Sequence, residues 1–156
     1  MNRLEALAWN LINQHWKLEV PINLDAIASG MGASVEKIPL GNISGKIDMD
    51  GQSPPKIYIN SSEFELRQRF TLAHEIGHLA LQHGTSFRDT HTNFFTGVTD
   101  PREVEANQFA AAVLMPEPAV RYFIDEQRIT STKRLADMFQ VSDVALGFRL
   151  KNLKII

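Results

Sequence analysis

Cysteine is absent from this 156-residue chain. That absence alone removes disulfide frameworks, Cys-ligated zinc fingers, iron–sulfur clusters and thiol nucleophiles. A basic excess is missing too: 16 Lys and Arg stand against 18 Asp and Glu, a formal charge of −2, which leaves no electrostatic footprint for a polyphosphate partner. No apolar run approaches the ~18–20 residues of a membrane-spanning helix. Met1-Asn2-Arg3-Leu4-Glu5 leads straight into an amphipathic pattern without the apolar core of a signal peptide. Internal repeats and low-complexity tracts are also lacking. What is there is ordinary: 44% apolar and 22% charged residues, enough to bury the core of one domain. The expectation is a single cytoplasmic domain over residues 1–156, with no membrane partner.

Hydrophobic periodicity divides the chain. Leu4, Leu7, Ala8, Leu11 and Ile12 recur at helical spacing, predicting an amphipathic helix over 3–16. A short helix follows Pro21 through Leu24, Ile27 and Ala28, closing the helical part at 1–33. Residues 34–60 then read as a small sheet, because β-rich stretches at 35–38, 43–47 and 56–59 alternate with Gly, Asn and Pro punctuation. Residues 56–60 are its candidate exposed edge. Ser62 and Glu65 have capping-box spacing and open a helix over 62–83, which Gly84 terminates. Residues 85–100 read as an irregular loop carrying Phe87, Phe94 and Phe95. Pro101 opens a helix over 101–115, and further helices fill 116–156, the last capped by Ser142. The fold class expected is α+β.

The chemistry is concentrated in His74-Glu75-Ile76-Gly77-His78. Two histidines at i and i+4 lie about 400° apart around a helix, some 40° past one full turn, so both imidazoles leave one face. They can then share one Zn²⁺ at about 2.0–2.1 Å. Glu75, one residue on, flanks such an ion instead of binding it, where it can take a proton from a water that the cation activates. The bland alternative is a helix whose two histidines are merely packed or solvated; the motif's place within a long helix after a β-rich segment argues against it.

A catalytic zinc site needs a third protein ligand and one open position, and without cysteine that ligand is His, Glu or Asp. His83, nine residues beyond His74, would face the opposite way on a regular helix. It reads as a polar residue at the helix end, well placed against the dipole. His91 in the loop stays open, and His15 reads as a surface residue. Glu103 and Glu105 on the next helix are better placed, and their spacing lets only one face the site. Glu103 shares its face with Asn107, supplying a carboxylate together with an amide oxygen that can hold a ligating imidazole. Glu103 is therefore the preferred ligand, and Glu105 is left as a solvated charge in the helix's first turn.

Arg69-Phe70-Thr71-Leu72-Ala73-His74-Glu75-Ile76-Gly77-His78, followed by Glu103-Val104-Glu105-Ala106-Asn107-Gln108-Phe109-Ala110-Ala111 and Leu114-Met115-Pro116, resembles the ImmA/IrrE family of zinc metallopeptidases. The first block alone is shared by many unrelated peptidases; the second makes the resemblance specific. It covers roughly residues 57–116 well and the flanks more loosely. It implies a zincin-like fold and one Zn²⁺ held by His74, His78 and a glutamate. The gluzincin-like Glu-x-x-x-Asn/Asp spacing places that glutamate at Glu103, with Glu75 as catalytic acid/base. It further implies site-specific cleavage of a helix-turn-helix repressor of a mobile element or stress regulon. A transition-state oxyanion would also take a side-chain donor; His91, Tyr122 and Tyr58 are the candidates, and the sequence does not choose among them.

Two rival readings come from other classes. Residues 128–156 carry six basic and two acidic residues, and Leu135–Ser142 followed by Ala145 and Leu150 resembles a helix-turn-helix. Its would-be recognition helix opens Ser142-Asp143-Val144-Ala145-Leu146-Gly147-Phe148, which has little with which to read base edges, so direct nucleic-acid binding is not expected. The other rival is a repressor-binding regulator that keeps the metal without turnover.

Overall fold

The computed structural model describes residues 2–13, 19–84, 86–89 and 100–156. His15, His91, Phe94 and Phe95 lie outside them. The fold is α+β, and the chain divides into two compact units, Leu24–Ala110 and the combination of Met1–Asn23 with Ala111–Ile156.

In the first unit, helix α2 (Leu24–Gly30) leads into strands β1 (Ser34–Ile38), β2 (Ile43–Asp48) and β3 (Lys56–Asn60), then helix α3 (Glu65–Ala80), strand β4 (Ser86–Asp89) and, as far as Ala110, helix α4 (Pro101–Leu114). The sheet order is β1-β3-β2-β4. β3 runs parallel to β1 and antiparallel to β2, and β4 pairs antiparallel with β2. Residues 56–60 are therefore an interior strand, not the exposed edge expected from their sequence. Ile57 and Ile59 are fully buried, and Ile47 sits directly across from Ile57. Alternation along one strand tells which face is buried, but it cannot tell which strands lie alongside. A second correction is β4, which occupies part of a stretch that read as irregular loop.

Asn60 ends β3 and breaks the alternation by being buried itself. Its amide oxygen accepts the backbone N–H groups of Leu40 and Ser62, and its amide nitrogen donates to the carbonyls of Gly41 and Ile43. Four bonds from one side chain fix the β1–β2 turn and the entry to α3 together. The engagement of the Ser62 N–H also explains why the expected capping box does not form. The helix starts at Glu65, after Phe64, with no side-chain cap.

The middle of α3 is buried all round, with every residue from Thr71 to His78 inside. It packs on β2 and β3. The approach is closest at Gly45 of β2, where an added Cβ would stand 2.6 Å from Thr71 Cγ2 and 3.0 Å from the Tyr58 carbonyl oxygen.

In the other unit, α1 (Arg3–Asn13) buries Leu4, Ala8 and Ile12 on one stripe. Its counterpart is a helical run: α5 (Glu117–Arg121) continuing into a π-helical turn at Tyr122–Glu126, then α6 (Thr132–Phe139) and α7 (Asp143–Asn152). Ser131 and Ser142 cap α6 and α7, accepting the N–H groups of Arg134 and Ala145. Arg149 of α7 is 5% exposed. It donates both terminal nitrogens to the two oxygens of the Glu5 carboxylate and its Nε to the Met115 carbonyl. Among the described residues, no helix is long and apolar enough to cross a membrane.

Candidate metal centre

The centre is built where α3 crosses α4. A Cβ added to Gly77 would lie 3.1 Å from Phe109 Cδ1 and 3.3 Å from both the Cα and the carbonyl oxygen of Ala106, so a glycine is what lets the two backbones come this close. His74 and His78 stand three residues before and one after Gly77, and Glu103 and Asn107 bear the same relation to Ala106. The crossing point therefore faces two pairs of functional side chains toward each other. At the start of α4, Asp100 accepts the Arg102 N–H at 2.9 Å, and that bond holds its carboxyl below the usual range.

Among the described residues, His74, His78 and Glu103 form a group whose ligating atoms lie within 4.8 Å of one another. His74 Nε2 is 2.8 Å from Glu103 Oε2, His78 Nε2 is 3.0 Å from Glu103 Oε1, and the two Nε2 atoms are 3.0 Å apart. The rings meet edge to face at 81°. His74 and His78 are each 1% exposed, and Glu75 between them is fully buried. Burial pushes the Glu103 carboxyl up, but hydrogen bonds from His74 and His78 and their charge more than reverse it, holding it well below the usual carboxylate range.

Whether a cation fits can be read from the protons. His74 Nδ1 faces Asn107 Oδ1 at 2.8 Å; an amide oxygen only accepts, so Nδ1 carries the hydrogen and the neutral ring keeps a lone pair on Nε2. That lone pair points at a carboxylate and at a second imidazole nitrogen. A proton among these three side chains satisfies one contact at a time, whereas a divalent cation satisfies all three groups. A tetrahedral ion with N and O ligands at ~2.0–2.1 Å holds them about 3.3 Å apart, close to the spacing present. The residues fit a metal, and two imidazoles with one carboxylate suit an intermediate divalent ion better than a hard, all-oxygen one.

His83 and Glu105 are placed differently from their sequence expectations. α3 ends at Ala80, three residues short of the expected 83, and Gln82 turns into the left-handed region with φ 57°. The Gln82 N–H bonds to the Leu79 carbonyl and the His83 N–H to the His78 carbonyl, the paired bonds of a Schellman end. This reversal swings His83 back over the helix, so that its Nδ1 lies 2.9 Å from His78 Nδ1. Its Nε2 faces Glu105 Oε1 at 3.4 Å. Burial pushes the His83 imidazole below its usual range; the nearby His78 adds to this and Glu105 opposes it. The residue expected to face away from the centre thus touches one of its histidines. Glu105, expected as a solvated charge, contacts His83. The polar Gln82 ahead of His83-Gly84 was the available, and weak, sequence signal of an early helix end.

The candidate oxyanion donors fare unevenly. Tyr58 is half-buried on β3 beneath Lys46 Nζ, 4.8 Å from the ring centroid. Tyr122 belongs to the other unit, where its hydroxyl accepts from Gln127 at 3.0 Å. His91 lies outside the described residues.

A family model for the IrrE N-terminal-like domain matches residues 28–151. The chain is also similar to the radiation response metalloprotease IrrE of Deinococcus radiodurans, 33% identical over 121 residues, which is 76% of this chain and 36% of that protein. It thus spans little more than a third of the length of the curated relative it matches. The family match takes in α3, α4 and the whole His74–His78–Glu103 cluster, and on its extent the chain belongs to the IrrE N-terminal-like family, the ImmA/IrrE metallopeptidases.

Proposed function

We propose that the chain is a zinc-dependent endopeptidase in which His74, His78 and Glu103 hold the ion, Asn107 orients His74 and Glu75 carries the proton. The observation that carries this reading is the meeting of two imidazole nitrogens and one carboxylate at contacts of 2.8–3.0 Å inside a buried helix crossing. A bound Zn²⁺ supplies Lewis acidity for the scissile carbonyl and brings the pKa of water down to about 7. The rest is the work of this chain's own groups. Asn107 Oδ1 fixes the His74 tautomer, leaving Nε2 free for the metal. Glu75 takes a proton from the attacking water and returns it to the leaving amine nitrogen, and its full burial keeps that proton from bulk solvent.

The substrate we propose is a cytoplasmic helix-turn-helix repressor of a mobile element or stress regulon. The family resemblance supports it, as does similarity to a relative whose name includes a radiation response. The test pairs metal content with cleavage. The purified wild type should carry one equivalent of zinc and cut a purified helix-turn-helix repressor. Glu75→Gln should keep the zinc and lose cleavage by about 10²–10⁴-fold. Undiminished repressor release with Glu75→Gln would establish instead a metal-bearing regulator that acts by binding alone.

A further inference from the structure

Two polar residues at the edge of the centre, His83 and Glu105, have no part in the proposed chemistry. We infer that His83 and Glu105 form a positioning relay for His78, the counterpart of what Asn107 does for His74; this rests on the proposed metal centre.

His78 Nε2 is the atom that faces Glu103 and His74, so for it to bind a cation its ring proton must sit on Nδ1. His78 Nδ1 is 2.9 Å from His83 Nδ1. Two nitrogens at that distance share one hydrogen, so His83 Nδ1 is the acceptor and its own hydrogen sits on Nε2. That Nε2 faces the Glu105 carboxylate at 3.4 Å, an atom that only accepts. Every proton from Glu105 to the metal position thereby has one consistent place. Reversing the His78–His83 bond would put a hydrogen on His78 Nε2, against the metal position, and aim the His83 lone pair at a carboxylate. The two histidine ligands are therefore held by different devices, an amide on α4 for His74 and an imidazole–carboxylate pair for His78. His83 reaches its place only through the left-handed turn at Gln82, and Glu105 through its position two residues after Glu103.

Outer partners of this kind alter metal affinity about 10–100-fold, which sets the test. Zn²⁺ and Co²⁺ affinities are measured by chelator competition on the full chain for wild type, His83→Phe, Glu105→Gln, Glu105→Leu and the His83→Phe/Glu105→Leu double variant. Circular dichroism and thermal melting confirm that each is folded. We expect His83→Phe to weaken metal binding by about 10–100-fold and Glu105→Leu by less. Glu105→Gln, whose amide oxygen still accepts from Nε2–H, should weaken it least. The double variant should match His83→Phe alone, because Glu105 acts only through His83. Long-range ¹⁵N spectra of the zinc-loaded wild type should show the Nδ1–H tautomer at His78 and the Nε2–H tautomer at His83, a signature that simple packing would not set. Wild-type affinity in both folded His83→Phe and folded Glu105→Leu, or an Nδ1–H tautomer at His83, overturns the relay while leaving the metal centre intact. Failure of the wild type to bind either metal overturns the centre and the relay with it.

Discussion

Each of the two units buries a small polar cluster, and the clusters are satisfied in opposite ways. Around Arg149, donors meet acceptors: the guanidinium gives two hydrogens to the Glu5 carboxylate and one to the Met115 carbonyl. The cluster is closed, and its purpose is to tie α1 to α7. Around His74, His78 and Glu103, two imidazole Nε2 atoms and a carboxylate face one another at 2.8–3.0 Å, and in the neutral tautomers that bind a cation all of them are acceptors. Buried polar groups are ordinarily paired, so a cluster that is complementary reads as architecture, and one that lacks a positive charge at its centre reads as a site. Burial alone does not separate the two, since His74, His78 and Arg149 are all inside. The sign of what each polar atom faces does.

The largest effect should follow removal of a proposed ligand. Glu103→Ala should abolish tight zinc binding, read as metal per chain after dialysis. Added zinc should then no longer raise the melting temperature, whereas it should raise that of the wild type, in keeping with mass action on the folded state. The closed cluster should respond in stability and not in metal. Arg149→Met strands the Glu5 carboxylate and should cost about 3–5 kcal/mol in denaturant melts, with zinc content unchanged. Replacing both partners, Glu5→Leu with Arg149→Met, should recover most of that loss, because apolar pairs often substitute well for a buried ion pair.

Crowding the helix crossing should affect both quantities more mildly. Gly77→Ala forces a methyl against Phe109 and the Ala106 backbone. A cost of about 1–3 kcal/mol is expected, together with weakened but measurable zinc affinity. The smallest effect is expected at the end of α3. Gln82→Gly relieves a left-handed residue while giving the unfolded chain more freedom. Its net change should be stabilising and within about 1 kcal/mol, with zinc affinity kept, because the turn that carries His83 is preserved.

The periodicity of the chain made much of this legible. Three-and-four spacing put His74 and His78 on one face, and the shared face of Glu103 and Asn107 singled out the carboxylate that the structure brings to them. The same reasoning misplaced His83, because it extended a regular helix three residues past its end. It set Glu105 aside for a related cause: only one glutamate can face the histidines, but the other can face a residue that the helix end has folded back. The Ser62 cap was misjudged because a distant buried side chain, Asn60, already holds the Ser62 N–H.

Local sequence thus determined the longer helices, the strands β1–β3 and the chemical types of the candidate ligands, because repeating backbone geometry carries a side chain's direction forward from one turn to the next. Tertiary structure decided the order β1-β3-β2-β4, the closeness of α3 to α4 at Gly77, and the fate of His83 and Glu105. Those depend on where regular geometry stops and on what a neighbouring segment offers there. No repeat within one segment encodes either.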